Sequence, residues 1–229
     1  MDYTIYYFIG SILGIFFLGY LAEYILSSSF SQKTFRYFVA PGILLHESAH
    51  ALTAILFGGK ILEFKIFDEK GGSVKYSQPK FPQFSNIIIA LAPIIFAIIA
   101  LILLIKLFNY NYLFQNNQLI SWIEIKNYLK SLDYQDYKTY LFLYLALSIS
   151  ASMTPSKKDL ALSWAGLAFF LIISILCYFL VPQTIVFFNY LLPTLIWCIN
   201  LFIIVCVLSA FIYLIKWVII LIIIKFQSE

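Results

Sequence analysis

Charge is what this chain has least of: 11% of its 229 residues are Asp, Glu, Lys or Arg, against 62% apolar. That balance excludes an ordinary soluble domain, and the apolar residues come in long blocks rather than at helical intervals. The solvent for most of the chain is the lipid bilayer. Basic residues are scattered and the net charge is only +4, so there is no basic stripe and nucleic acid is not an expected partner. The three cysteines, Cys177, Cys198 and Cys206, sit in apolar blocks without CxxC spacing and read as buried thiols that say nothing of redox compartment. No polar segment is long enough to bury a core of its own.

What is present is a series of spans. Crossing the hydrocarbon core takes about 20 apolar residues in a helix, and six blocks answer to that, the fourth being short: residues 4–26, 38–57, 84–108, 140–153, 160–180 and 184–226. The first lacks a basic n-region and reads as a retained helix, not a signal peptide. The last is longer than one straight span needs. Pro193 and Asn200 mark places where it could break, but it is counted as one span, with Lys216 snorkelling.

Two segments depart from the pattern. In residues 60–76, Leu62, Phe64 and Ile66 alternate with Glu63 and Lys65, the period of a strand. Asp68, Glu69, Lys70, Gly71 and Gly72 supply turn chemistry before a second short strand, Ser73 to Tyr76, so a β-hairpin is expected. In residues 109–138, Trp122, Ile123, Ile125, Tyr128 and Leu129 fall at roughly helical spacing, which suits an amphipathic helix at the interface. The expected fold is an all-α polytopic membrane protein of about six transmembrane helices, with a small β-hairpin between the second and third, in one domain over residues 1–229.

The second span carries His46-Glu47-Ser48-Ala49-His50, an HExxH motif holding both histidines of the chain. Four residues of helix advance about 400°, so both imidazoles leave one face a turn apart and can grip one tetrahedral Zn²⁺. Glu47 is displaced around the helix, where it can act as general base on a zinc-activated water without ligating the metal. The chemistry this suggests is peptide hydrolysis. A bland role, with the three residues hydrogen-bonding other helices, competes poorly. Polar groups in mid-span cost roughly 2.5–3.5 kcal/mol per charged centre on insertion scales and are seldom kept without use.

A catalytic zinc wants three protein ligands, and with no third histidine the remaining one is expected to be a carboxylate. Asp159 is the favoured candidate: it follows the Pro-interrupted stretch 153–158 and heads an apolar block. The competing reading makes it an ordinary helix-opening Asp beside interfacial Lys157 and Lys158. Asp68, Glu69, Asp133 and Asp136 stay open as alternatives, though each lies in a segment that reads as turn or polar surface.

At this point the chain resembles the site-2 protease family of intramembrane zinc metalloproteases, in four ordered features over residues 38–166. These are HExxH followed by Ala51, Leu52, Phe57 and Gly58; the hairpin; the pair Ala92-Pro93; and Ser152-Met153-Thr154-Pro155 leading to Asp159. The last is similar to the family's Asn-x-x-Pro segment before an Asp-Gly that supplies the third zinc ligand. Ser152 stands where the family has Asn, and Leu160 where Gly follows. There is no PDZ-like insertion. The resemblance implies a catalytic core over residues 38–166, with His46, His50 and Asp159 on zinc and Glu47 as base, followed by C-terminal transmembrane helices in 167–229. It also implies a transmembrane or membrane-bound protein substrate, unwound before cleavage and held by strand addition to the hairpin edge. The hairpin side and Lys157-Lys158 look richer in lysine, so the site is expected to face the cytoplasm. Two other readings stand beside this one: a non-catalytic zinc-binding scaffold, and a small membrane transporter in which the motif handles ions.

Overall fold

The computed structural model describes residues 4–68, 71–110, 119–153, 157–181 and 183–227. It is mostly helical. In chain order the elements are α1 (Thr4–Ser29), α2 (Gln32–Phe38), α3 (Ala40–Leu56), β1 (Ile61–Asp68), β2 (Gly71–Tyr76), α4 (Pro82–Leu107), α5 (Trp122–Ser131), α6 (Tyr137–Ser152), α7 (Lys157–Leu180) and α8 (Thr184–Gln227). Each expected apolar block forms a helix within three residues of its expected ends, because an apolar run in lipid has only the helix with which to pair its backbone groups.

Local chemistry sets the breaks. The hydroxyls of Ser27 and Ser28 bond back to the Tyr24 carbonyl. Ser31 then caps α2 by accepting from the Thr34 N–H at 3.2 Å. The chain turns by 75° into α3, whose first turn carries Pro41, where a missing N–H costs nothing. At the far end Gly58 adopts φ 78°, with Gly58 N–H bonded to Ile55 and Gly59 N–H to Ala54, a Schellman stop. The Ser77 N–H donates to the Lys60 carbonyl and the Lys80 N–H to that of Phe57, which ties the hairpin's exit to the helix's end.

The hairpin is antiparallel, with Glu63 opposite Lys75, Phe64 opposite Val74 and Lys65 opposite Ser73. Gly71 and Gly72, expected in the turn, belong to β2 instead; residues 69–70 lie outside the described part. The amphipathic helix is α5, opened by a capping box between Ser121 and Glu124. It turns Ile125 and Tyr128 inward, and the Ile120 N–H just before it donates to Asn200 Oδ1 at 2.9 Å.

Among the described residues three helical stretches, Thr4–Ser29, Phe84–Leu107 and Thr184–Ile224, are long and apolar enough to cross a membrane, or four with α2 and α3 taken as one bent span. Six crossings are not confirmed, and the directions of the helices speak against that count. The first and last helices run parallel. Thr4 Oγ1 donates to Asn189 Oδ1 at 2.9 Å, the Phe8 and Phe188 rings meet at 4.7 Å, Cys206 Sγ donates to the Leu18 carbonyl, and Lys216 Nζ to that of Ser28. An even number of alternating crossings sets the first and last helices antiparallel. At least one pair of consecutive blocks must therefore run in the same sense. Phe142, early in α6, packs on Phe108 and Tyr110 at the end of α4. Met153 lies against Gly19, and Tyr178, late in α7, joins the cluster of Ile5, Phe8 and Phe188. α8 itself is one helix of 44 residues with Pro193 inside it.

Candidate active site

The HExxH segment lies in the middle of α3, walled by α4, α6 and the hairpin. Helix α6 comes close because α3 presents a glycine to it. A Cβ on Gly42 would stand 2.1 Å from the Ser148 carbonyl oxygen and 2.7 Å from Ser152 Oγ, and the Gly42 N–H donates to Ser148 Oγ at 2.9 Å. Small residues at helix contacts let backbones approach in this way in membrane proteins. The approach brings the last carbonyl of α6 to the first histidine: His46 Nδ1 is 2.7 Å from Ser152 O. On the other wall, His50 Nδ1 is 2.8 Å from Ile89 O of α4.

These two bonds fix the tautomers. A carbonyl oxygen only accepts, so each Nδ1 must donate, and each neutral ring then carries its lone pair on Nε2. The two Nε2 atoms face each other at 3.2 Å, with the rings edge to face. Two lone pairs at that distance repel unless a cation stands against both. Two imidazole nitrogens on one tetrahedral zinc are about 3.3 Å apart for Zn–N bonds of about 2.0–2.1 Å. The donor set and its spacing therefore fit the ion that the motif implies, and carbonyls on Nδ1 are the usual outer partners of a metal-binding histidine.

Glu47 is 8% exposed and lies beneath β2. A Cβ on Gly72 would fall 2.5 Å from Glu47 Cγ and 2.6 Å from Oε1, so a side chain there would have to push this carboxylate aside. Gly72, expected in the turn, instead lets β2 pass close over Glu47. On the hairpin's outer part, Glu63 pairs with Lys65 and Lys75. Their hydrogen bonds, Lys65 first, hold its carboxyl down to about 2 from an ordinary 4.5.

Asp159 stands in the first turn of α7, seven residues beyond the Ser152 carbonyl that holds His46. Its side chain, like residues 154–156, lies outside the described part. The alternatives fare differently. Asp133 accepts from the Gln135 N–H and Asp136 from the Lys138 N–H, both at 2.9 Å, and Asp136 caps the opposite end of α6 from Ser152. That end is about 24 Å away at 1.5 Å per residue. Glu69 and the side chain of Asp68 lie outside the described part. Among the described residues no three His, Cys, Asp or Glu side chains converge on one point. The carbonyls of Ser152 and Ile89 and the bare Cα of Gly72 are the site's contributors that a reading of side chains passes over.

A family model described as Peptidase M50B-like matches residues 11–122, a stretch that runs from α1 to the start of α5 and takes in His46, Glu47, His50 and the hairpin. No curated protein and no solved structure matches the chain. With apolar helices around a histidine pair of this geometry, the match is a likeness to that peptidase family over just under half of the chain.

Proposed function

We propose that the chain is an intramembrane zinc metalloprotease that hydrolyses peptide bonds of transmembrane or membrane-associated proteins, with His46, His50 and Asp159 holding the ion and Glu47 as general base. The observation that carries this reading is the pair of Nε2 atoms 3.2 Å apart, each ring locked by a carbonyl on its Nδ1. Zinc bound there supplies Lewis acidity, polarising a carbonyl and acidifying water. Glu47, beside the first histidine and sheltered by β2, receives the water's proton and passes it to the leaving amine. The break between α6 and α7 supports Asp159 as third ligand, because it interrupts the helix where Ser152 already touches His46.

Helices α1, α3, α4 and α8 each make one crossing in this reading, and α6 with α7 makes a fifth, broken at the site. A substrate helix must unwind to expose a carbonyl, and the outer edges of the two-stranded hairpin offer it a ladder to join. The lysines of the hairpin favour a cytoplasmic-facing site.

The test is metal analysis and a cleavage assay on the purified protein beside Glu47→Gln. Zinc is expected to bind both proteins equally, with proteolysis lost only in the variant. A wild-type protein that binds no zinc, or a Glu47→Gln variant that still cleaves, sinks the proposal. Zinc in both with cleavage in neither leaves a zinc-binding scaffold.

A further inference from the structure

Helix α4 contains Pro93 in its interior, and the residue four positions earlier is Ile89. A helix-interior proline removes one i→i−4 hydrogen bond, and its ring pushes the carbonyl of residue i−4 out of line. The carbonyl that Pro93 orphans is thus Ile89 O, the atom that accepts from His50 Nδ1 at 2.8 Å. Ile89 is 1% exposed, so water does not compete for that oxygen, and an unpaired buried carbonyl is costly. We infer that Pro93 is a positioning residue for the zinc site: by lacking an N–H it frees the Ile89 carbonyl, and that carbonyl sets the tautomer and orientation of His50.

The histidine on the other wall is served in a parallel way. Ser152 is the last residue of α6, so its carbonyl also lacks an intrahelical donor. Each imidazole is aimed by a backbone oxygen that a helix has given up.

The inference rests on the metalloprotease reading for its consequence, but its first readout does not need zinc. With only two histidines in the chain, the ¹⁵N ring signals of metal-free, histidine-labelled protein give one pair per residue. Wild-type His50 is expected in the Nδ1–H form. In Pro93→Ala the restored N–H draws Ile89 O back into the helix. His50 then loses its fixed tautomer, and zinc affinity falls about 10- to 100-fold, as on loss of other outer-shell partners. The apo-protein's melting temperature holds or rises, because alanine suits a helix interior better than proline. An α-hydroxy acid at position 93, which lacks the N–H but has no pyrrolidine ring, is expected to restore both the tautomer and the affinity. Wild-type tautomer and affinity in Pro93→Ala overturn the inference, as does a loss that the α-hydroxy residue fails to rescue. If the wild type binds no zinc, it is the metalloprotease reading that fails.

Discussion

Two regions of this molecule are built from helices of similar composition and are packed on different principles. Around His46 and His50, helices α3, α4 and α6 meet through Gly42, serine hydroxyls and bare carbonyls. Along α1 and α8 apolar side chains such as Ile15, Phe202 and Val205 pack beside small ones, Gly14 against Ile199 among them, with a few polar bonds at intervals. Each region contains a helix-interior proline, Pro93 in α4 and Pro193 in α8. Dispersion contacts are non-directional, whereas a hydrogen bond to an imidazole fixes which atom faces the ring nitrogen. The same backbone defect therefore positions a side chain in one region, and in the other lies in a helix held chiefly by bulk.

Gly42→Ala strikes the first region where it is tightest and is expected to have the largest effect. The new methyl cannot fit 2.1 Å from Ser148 O, so α3 and α6 must separate, at a cost of about 1–3 kcal/mol by analogy with overpacked cores. Thermal unfolding in detergent reads the loss of stability, and the His46 ring signal reads the loss of its carbonyl. An unshifted His46 signal would mean that the glycine contact does not hold the site. Pro193→Ala sharpens the contrast from the other side. It is expected to leave zinc affinity within twofold of wild type while stabilising α8, as judged by equilibrium dialysis and melting. A zinc defect as large as that of Pro93→Ala would erase the distinction between the two prolines.

The smallest expected effect is at the hairpin. Glu63 has a folded-state pKa lowered to about 2 from 4.5. Its pairing therefore stabilises the hairpin fully above about 4.5, and the contribution is lost as pH falls toward 2. Amide exchange in β1 and β2, corrected for intrinsic rates, should show the hairpin loosening over that window, and Glu63→Gln should flatten the dependence. The pair is solvent-exposed, so the change is small.

Much of this was legible in the residues. Apolar runs near the thickness of a bilayer located the helices, a period of two located the hairpin, and HExxH located the facing histidine pair. The directions of the helices were not legible, because two apolar blocks separated by a Pro-containing break look alike whether the chain reverses or continues. The partners of the histidines were hidden for a different reason. Ile89 and Ser152 act through backbone oxygens that every residue possesses, and only Pro93, four residues past Ile89, hints at one that is released. Gly72 reads as a turn residue because turn and close approach favour the same residue type; its place is in β2, over the Glu47 carboxylate.

Helix α8 has 44 residues and so measures about 66 Å, roughly twice the 30 Å of a hydrocarbon core. Inclination cannot absorb that excess, since it would take a lean of more than about 60° where helices seldom exceed about 40°. Ser28 holds Lys216 level with the end of α1, so α8 outruns α1 on the C-terminal side of that lysine, where Trp217 and residues 219–224 are about half exposed. The protein thus carries a greasy spar beyond its own bundle. Lipids around that end must thicken locally to clothe it, and a thin bilayer or a short-chain detergent will leave it bare.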